Sequence, residues 1–437
     1  MRETRRSLGF WRSWSLVVGG TIGSAVFMMP AVMAPYGGIG LVSLAVATLG
    51  AVCIALMFSA LARRVTSSGG MYAYTRAAFG DFAAFIVAWT GWISMWVSCA
   101  AIAIGFTAYL GVVVPVVGSN PVLGALSGLS LVWILVGINI LGVRESGIVS
   151  LVTTILKLTP LALIGIVGLW FIEADNLPLI QFNGGNGLVV FASIFALSFW
   201  NFTGIETATV PAEDTVNPSR TIPRALFIGT LTVGAIYLLV SFVALGVMPG
   251  STLAASNSPL ADVGMRLFGS LGSGLIVAGA VVSTAGAINA SILEGGQTAM
   301  AAGRDQLFPA SLARLSIRHT PWISYVVMGI LASILLVLNF SRGLVAAYEF
   351  IILIATLTLI IPYAFSAIAS LILQMRDPIG SPTRSWSAAT VAIIAFGVCF
   401  WVVATSGMET VYWVFLLIML GLPVYLVAGH KSIRAAD

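Results

Sequence analysis

Apolar residues in this chain form long runs that are separated by short polar segments. Twelve runs approach or exceed the 20 or so residues that an α-helix needs to cross a bilayer. We therefore predict twelve membrane-spanning helices, spans 1 to 12, and a short amphipathic helix at 258–269. The spans are 13–36, 39–62, 82–115, 121–143, 146–172, 188–211, 222–248, 271–302, 322–340, 344–374, 386–407 and 410–429.

The composition agrees with a membrane protein. Of 437 residues, 59% are hydrophobic and only 8% are charged, whereas soluble domains are about a quarter charged. This excludes a cytosolic enzyme, a secreted disulfide scaffold and a disordered chain. We predict an all-α membrane protein with one transmembrane domain over residues 1–437, embedded in a lipid bilayer.

The net charge of +5 is explained by membrane topology rather than by nucleic acid, which we do not expect as a partner. With twelve spans, 17 of the 20 Lys and Arg residues fall on one side, Arg266 and Arg342 fall on the other, and Lys157 lies inside span 5. Basic loops stay cytoplasmic. We therefore expect a protein of the cytoplasmic (inner) membrane with both termini in the cytoplasm. The 17 are Arg2, Arg5, Arg6, Arg12, Arg63, Arg64, Arg76, Arg144, Arg220, Arg224, Arg304, Arg314, Arg318, Arg376, Arg384, Lys431 and Arg434.

Neither the cysteines nor the histidines indicate a metal site or a redox centre. The three cysteines lie in apolar runs without a CxxC spacing, and the two histidines, His319 and His430, lie near span ends. We expect no cofactor and no metal.

Spans 1 and 6 each contain a glycine-rich polar interruption. Span 1 has Gly19, Gly20, Gly23 and Ser24 at mid-depth, and span 6 has Asn201, Thr203, Gly204 and Glu206. Such stretches weaken a helix, and in a membrane the freed backbone is tolerated only in protein or beside a cavity. An alternative is that the glycines only permit close helix packing.

The two interruptions occupy matching places in two halves of the chain, about 9–173 and 186–375, with extra spans over about 386–429. Interrupted segments in corresponding positions are typical of a transporter site at the membrane midplane. Backbone N–H groups after Gly23 would bind a carboxylate, and carbonyls near Thr21, Trp200 and Thr203 would accept from an ammonium. Trp200 lies beside the break and is a candidate gate over the substrate.

Few ionisable residues lie within spans, where burying a charge costs at least a few kcal/mol. Lys157 could occupy the place of a bound cation and donate to carbonyls of spans 1 and 8, either as a fixed ammonium or as a group that loses its proton during the cycle. Glu206 either hydrogen-bonds the unwound backbone or bridges spans. Glu294, one turn from Ser291, either faces the substrate or packs against Gln297 and cytoplasmic water.

Four segments carry a resemblance: GGTIGSAVFMMP, SSGGMYAYTRAAFG, FWNFTGIETATVPAEDTVNPSRTIPRA and EGGQTAMAAGRDQLFP. Together they resemble the amino acid–polyamine–organocation superfamily, and within it the basic amino acid/polyamine antiporter branch. The likeness extends from residue 9 to about 430. It implies a LeuT-type fold of two inverted five-span repeats with discontinuous spans 1 and 6, two extra C-terminal helices, and alternating access around a central site.

The resemblance also implies roles for single residues. Gly23, Ser24 and Ala25 match the carboxylate-binding turn, and Thr21, Trp200 and Thr203 match positions that face the substrate ammonium. Glu206 and Tyr74 match residues linked to gating.

Three positions depart from the arginine/agmatine antiporters of that branch. Ser291 stands in place of a stacking tryptophan, Cys99 in place of a side-chain-binding asparagine, and Gly91 in place of a gate tyrosine. The pocket is therefore roomier and less suited to guanidinium. Lys157 instead resembles the span-5 lysine of proton-coupled and L-type amino acid transporters, whose amine occupies the place of a sodium ion.

We expect a sodium-independent exchanger or proton-coupled transporter of amino acids or related amines, with no enzymatic activity. Basic amino acid/polyamine antiport, with Glu294 or Glu206 as cation partner, is the alternative. A receptor, a membrane enzyme and a channel fit the interrupted spans less well. Protons and a homodimer stay open as partners. Specificity is assigned to Ser94, Cys99, Ile102, Ser291 and Thr356.

Overall fold

Helices make up nearly all of the chain, as the apolar runs predict. The computed structural model describes residues 8–67, 69–142, 147–177, 187–339, 343–376 and 382–433. Arg2, Arg5, Arg6, Arg144, Arg342 and Arg434, which entered the topology prediction, lie outside the described residues, as does the start of the second predicted repeat at residue 186. Within the described residues the sole β contact is an isolated bridge between Leu8 and Thr215.

Seventeen α-helices are described. They are α1 Phe10–Thr21, α2 Ala25–Met33, α3 Gly38–Arg64, α4 Met71–Phe79, α5 Asp81–Val113, α6 Pro115–Ser119, α7 Pro121–Leu141, α8 Gly147–Val167, α9 Gly187–Phe199, α10 Pro218–Val247, α11 Gly250–Ala254, α12 Pro259–Arg304, α13 Trp322–Asn339, α14 Leu344–Arg376, α15 Pro382–Thr405, α16 Met408–Met419 and α17 Gly421–Ile433.

Among the described residues, ten helical stretches are long and apolar enough to cross a membrane, and the bent pair α1–α2 makes eleven. The predicted ninth span is the exception, because its apolar helix Trp322–Leu338 is shorter than the others. All twelve predicted spans are nevertheless helical over most of their length.

The longest helix is broken near its start. α12 is 46 residues long, but Gly269 has φ +64° and leaves the helical conformation. Residues 259–268 therefore form a separate short helix ahead of the long one, close to the amphipathic helix predicted at 258–269.

Helix α5 lies centrally and packs against α12 and α14, while α3 packs against α10. The short helix α4 lies outside the apolar spans, beside the start of α5 and the end of α12. Arg76 on α4 bonds both Asp81 (2.8 Å), the first residue of α5, and Asp305 (2.9 Å), the residue after α12. We call this side of the molecule the α4 face. α5 runs away from it, and α12 runs toward it.

Candidate substrate site

The first interruption separates α1 from α2. α1 ends at Thr21, α2 begins at Ala25, and their axes are bent by 42°. The sequence pointed to Gly19 and Gly20 as well, but both are helical, and the break falls at 22–24. Glycine lowers the stability of a helix without dictating where it ends.

The second interruption follows α9. The chain continues after Phe199 in two 3₁₀ turns, Trp200–Phe202 and Ile205–Thr209, on either side of Gly204. Gly204 has φ +98°, a conformation that side-chain-bearing residues rarely adopt. The predicted break in span 6 is therefore present, and Glu206 lies inside it.

The two breaks contact one another. The Thr207 hydroxyl donates to the Leu16 carbonyl over 2.8 Å. A Cβ at Gly204 would lie 2.8 Å from the Gly20 carbonyl oxygen, closer than such atoms pack. The backbones of the two interrupted spans thus meet because both carry glycine.

A cavity lies between the breaks and helices α5 and α12. The space between these elements that no protein atom fills is about 570 Å³, and this figure includes the open mouth of the cavity. Ten of the fifteen site residues predicted from the sequence line it, although they come from four separate regions of the chain. These are Thr21, Gly23, Ser24, Ala25, Ser94, Ile102, Trp200, Thr203, Ser291 and Glu294.

Other lining residues were not predicted, and among them are Met95, Ser98, Ala287 and Leu359. Ser98 could have been found, because it lies one turn after Ser94 and shares its face of α5. The apolar ones carry no chemical signal in the sequence.

The start of α2 supplies unpaired donors to the cavity. Within the described residues, the amides of Ser24 and Ala25 have no backbone acceptor, as is usual for the first turn of a helix. Both residues line the cavity. Free N–H groups and the positive end of a helix dipole favour an anion such as a carboxylate.

Two of the carbonyls predicted to receive an ammonium, those of Thr21 and Trp200, are already hydrogen-bonded. The Thr21 carbonyl accepts from the Tyr237 hydroxyl (3.0 Å) and from the Gly23 amide (3.1 Å). The Trp200 carbonyl accepts from both the amide and the hydroxyl of Thr203. A carbonyl has two lone pairs, so an ammonium at these oxygens would displace one of those donors.

Lys157 is bound to the first break. Its ammonium donates to the carbonyls of Gly19 and Ile22, each over 2.6 Å, and the residue is 6% exposed. From span 8, Ser283 donates to Ile22 and Gly23. A protein cation therefore occupies the oxygen cluster that the helix break exposes.

Trp200 lies at the edge of the cavity and is held by a residue that the sequence did not suggest. Its indole N–H donates to the hydroxyl of Tyr348 on α14 over 3.0 Å. A tyrosine inside an apolar span has no feature in the sequence that sets it apart from a core residue.

Glu206 is fully buried behind the cavity rather than in its lining. The Gly204 amide donates to its carboxylate over 3.1 Å, and the Tyr363 hydroxyl also donates to it. Both sequence interpretations apply, since one contact is to unwound backbone and the other bridges to α14. Its second oxygen, Oε1, has no hydrogen-bond partner among the described residues.

Among the described residues that line the cavity, Glu294 is the only one with a carboxylate side chain. Among the described residues its side chain has no hydrogen-bond donor and no cation as partner. Its side chain therefore faces the cavity, and a role toward the substrate stays a prediction. Gln297, proposed as its packing partner, is exposed.

Two of the residues that the sequence assigned to specificity lie outside the lining. Cys99 is buried with its thiol 4.0 Å from the Ile288 carbonyl, and Thr356 donates to Ile352 in its own helix. Ser94 does line the cavity, but its hydroxyl donates to the Ala355 carbonyl over 2.9 Å. A specificity role for these three stays a prediction.

Tyr74, predicted to take part in gating, is fully buried on α4 beside Thr209, at the end of the second break. On the same helix, Tyr72 donates to Asp305 over 2.5 Å. Burial, and then this hydrogen bond, raise the pKa of Tyr72, while the hydrogen bond to Asp81 raises the pKa of Arg76. The tyrosine therefore stays protonated and the guanidinium stays charged near neutral pH.

The cavity has two ends of different chemistry. Because α12 runs toward the α4 face, Glu294 lies nearer that face than Ser291 does. Because α5 runs away from it, Ile102 lies farther from that face than Ser94. On the far side every residue of α2 is buried.

Comparison with known proteins identifies the family. The model of the amino acid permeases matches residues 8–420. The chain belongs to the amino acid permease family. It is thus a multi-pass membrane transporter and not an enzyme, and the amino acid–polyamine–organocation resemblance is confirmed.

Curated relatives of this permease align with most of its length. An arginine/ornithine antiporter of Pseudomonas aeruginosa is 27% identical over 98% of this chain and 92% of its own. The putrescine transporter PotE of Escherichia coli is 27% identical over 92% of each chain. The serine/threonine exchanger SteT of Bacillus subtilis is 29% identical over 77% of each chain.

Proposed function

We propose that this permease is a sodium-independent secondary transporter of amino acids or related amines that works by alternating access. One observation carries the proposal, namely the free amides of Ser24 and Ala25 at a helix start that lines a cavity between two broken spans. An amino acid offers the carboxylate that such a site binds. The relatives, which are named for arginine, ornithine, putrescine, serine and threonine, support this substrate class.

Sodium independence is argued from Lys157. A bound cation at the first break would need the carbonyl oxygens of Gly19 and Ile22, and the lysine ammonium already uses both. The ammonium is part of the chain and stays in place at any sodium concentration.

The proposal extends to topology. It includes twelve spans in a LeuT-type arrangement of inverted repeats, with the α4 face and both termini in the cytoplasm of the cell. The excess of basic residues on that side supports this orientation. Proton coupling and a homodimer stay predictions from the sequence.

Uptake into liposomes tests the function. Purified protein should import or exchange a radiolabelled amino acid or amine equally well in sodium and in choline buffer. Empty liposomes are the control. Absence of uptake for every amino acid and amine, with and without internal substrate and a proton gradient, would refute transport, and a strict sodium requirement would refute the role given to Lys157.

A narrower candidate is exchange of basic amino acids or polyamines, and Glu294 favours it. An unpaired carboxylate in a cavity is costly unless a cation pairs with it. A second ammonium on the substrate, as in ornithine or a diamine, would supply that cation.

The Glu294→Gln variant tests this candidate. It should weaken binding of dibasic substrates by on the order of tenfold or more, the loss expected for a buried charge pair, and leave neutral amino acids nearly unaffected. Glu349→Gln, which changes a half-buried carboxylate on α14 outside the cavity lining, is the matched control. Equal affinity of wild type and Glu294→Gln for dibasic substrates would exclude the candidate.

A further inference from the structure

Tyr348 connects the two broken spans through a buried chain of hydrogen bonds. Its hydroxyl accepts from the Trp200 indole over 3.0 Å and lies 3.2 Å from the Ser24 hydroxyl. Tyr348 is 0% exposed, and Ser24 and Trp200 are 1% and 5% exposed. The chain therefore joins span 6, span 10 and span 1 away from water.

The donor chemistry of the three side chains favours one direction for these hydrogen bonds. An indole N–H can only donate, so the Tyr348 oxygen accepts from Trp200. The Tyr348 proton is then available for the Ser24 oxygen. The Ser24 proton is left over, and among the described residues the Ser24 hydroxyl has no other partner.

The Ser24 hydroxyl proton lies at the start of α2, where the free amides of Ser24 and Ala25 are available to a carboxylate. Ser24 is the residue before the first turn of α2 and lines the cavity, whereas Tyr348 does not line it. The Ser24 hydroxyl can therefore join the Ser24 and Ala25 amides as a third donor to one carboxylate. Donors in a chain strengthen one another in a medium of low dielectric constant.

We propose that Tyr348 is a positioning residue that makes the Ser24 hydroxyl a donor to the substrate carboxylate when Trp200 is in place. The proposal rests on the amino acid site proposed above and adds a residue to it. When Trp200 moves away, the Tyr348 oxygen loses its donor and Tyr348 can accept from Ser24 instead. The third donor is then withdrawn, so carboxylate binding is coupled to the position of the tryptophan.

A purely structural tie would behave differently. If Tyr348 only holds three helices together, losing its hydroxyl should weaken all ligands alike. If it orients Ser24, the loss should be confined to ligands with a carboxylate. A transported amino acid and its decarboxylated amine separate the two cases, because they differ in that group alone.

The experiment measures the affinities of the purified transporter for such a pair in wild type, Tyr348→Phe, Ser24→Ala and the double variant. Tyr348→Phe keeps the ring and should weaken binding of the amino acid by on the order of tenfold. This is about the contribution of one hydrogen bond to a charged group. The affinity for the amine should change by less than about twofold. Ser24→Ala should act likewise, and the double variant should bind no more weakly than Ser24→Ala.

Tyr109→Phe is the matched control. Tyr109 is also fully buried and ties helices together, since it donates to Phe27 on α2 and accepts from Leu260 on α12. It does not line the cavity. Its loss should not distinguish the amino acid from the amine.

Three results would overturn the proposal: unchanged affinity in Tyr348→Phe, equal weakening of both ligands, or additive effects in the double variant. If wild type does not bind the amine, the double-variant comparison on the amino acid alone decides. If wild type binds neither ligand nor any other amino acid or amine, the proposed function fails instead, and the two failures are distinct.

Discussion

At the scale of single residues, Lys157 shows how a polar group inside a membrane is satisfied. The break in span 1 removes the helical partners of two carbonyls, because Gly23 donates to Thr21 and not to Gly19, and Val26 makes no bond back to Ile22. The ammonium supplies those partners. The break and the lysine are therefore mutually dependent.

Replacing Lys157 should damage both stability and transport. Lys157→Met keeps much of the volume but leaves buried carbonyls short of donors, at about 1–3 kcal/mol each. We expect a lower apparent Tm of the purified protein and strongly reduced uptake. The control Thr159→Val removes an exposed hydroxyl whose one partner among the described residues is the Ile155 carbonyl in the same helix. A Lys157→Met protein as stable and active as this control would contradict the role.

Which residues the sequence could reveal depended on their contrast with their surroundings. Lys157, Glu206 and Glu294 were found because a charge in an apolar run is conspicuous. Tyr237 and Tyr348 were missed, although both hold the site together. A tyrosine is common in membrane helices, and only the fold shows which hydroxyl meets a distant carbonyl or indole.

At the scale of helices, the two breaks were predictable but their limits were not. Glycines indicate where a helix is weak, and they correctly marked spans 1 and 6. The end of α1 is set by partners far along the chain, since Lys157 and Ser283 bond the carbonyls around 22–23. Gly19 and Gly20 stay helical, although the Gly19 carbonyl also accepts from Lys157, because glycine lowers the stability of a helix without dictating where it ends.

Gly204 should be the most sensitive glycine at the breaks. Gly204→Ala would force a side chain into a left-handed conformation and against the Gly20 carbonyl, each at a cost of about 1 kcal/mol or more. Thermal unfolding in detergent should show a clear loss of stability, with little remaining uptake.

Gly274→Ala is the comparison, because a Cβ at that helical position in α12 meets nothing within 4 Å. Alanine favours a helix over glycine, so this variant should be neutral or slightly more stable. Similar stability of the two alanine variants would show that the breaks do not depend on the contact between Gly20 and Gly204.

At the scale of the whole molecule, the all-helical architecture followed from run length and composition alone. The positions of the helices relative to one another in the membrane plane could not be predicted in this way, because every apolar run looks alike in sequence. The cavity exists since α5, α12 and the two breaks meet, and no periodicity within one helix specifies that meeting. The family resemblance implied a central site, and ten of the fifteen site residues predicted from the sequence line the cavity.

The tethered amine of Lys157 also bears on where such a transporter is useful. A carrier that recruits its ion from the medium is limited by the supply of that ion and by the energy spent to keep it outside. Here the positive charge belongs to a lysine side chain of the protein itself. On the sodium-independent mechanism proposed above, transport through it would be the same for a cell in fresh water and a cell in brine.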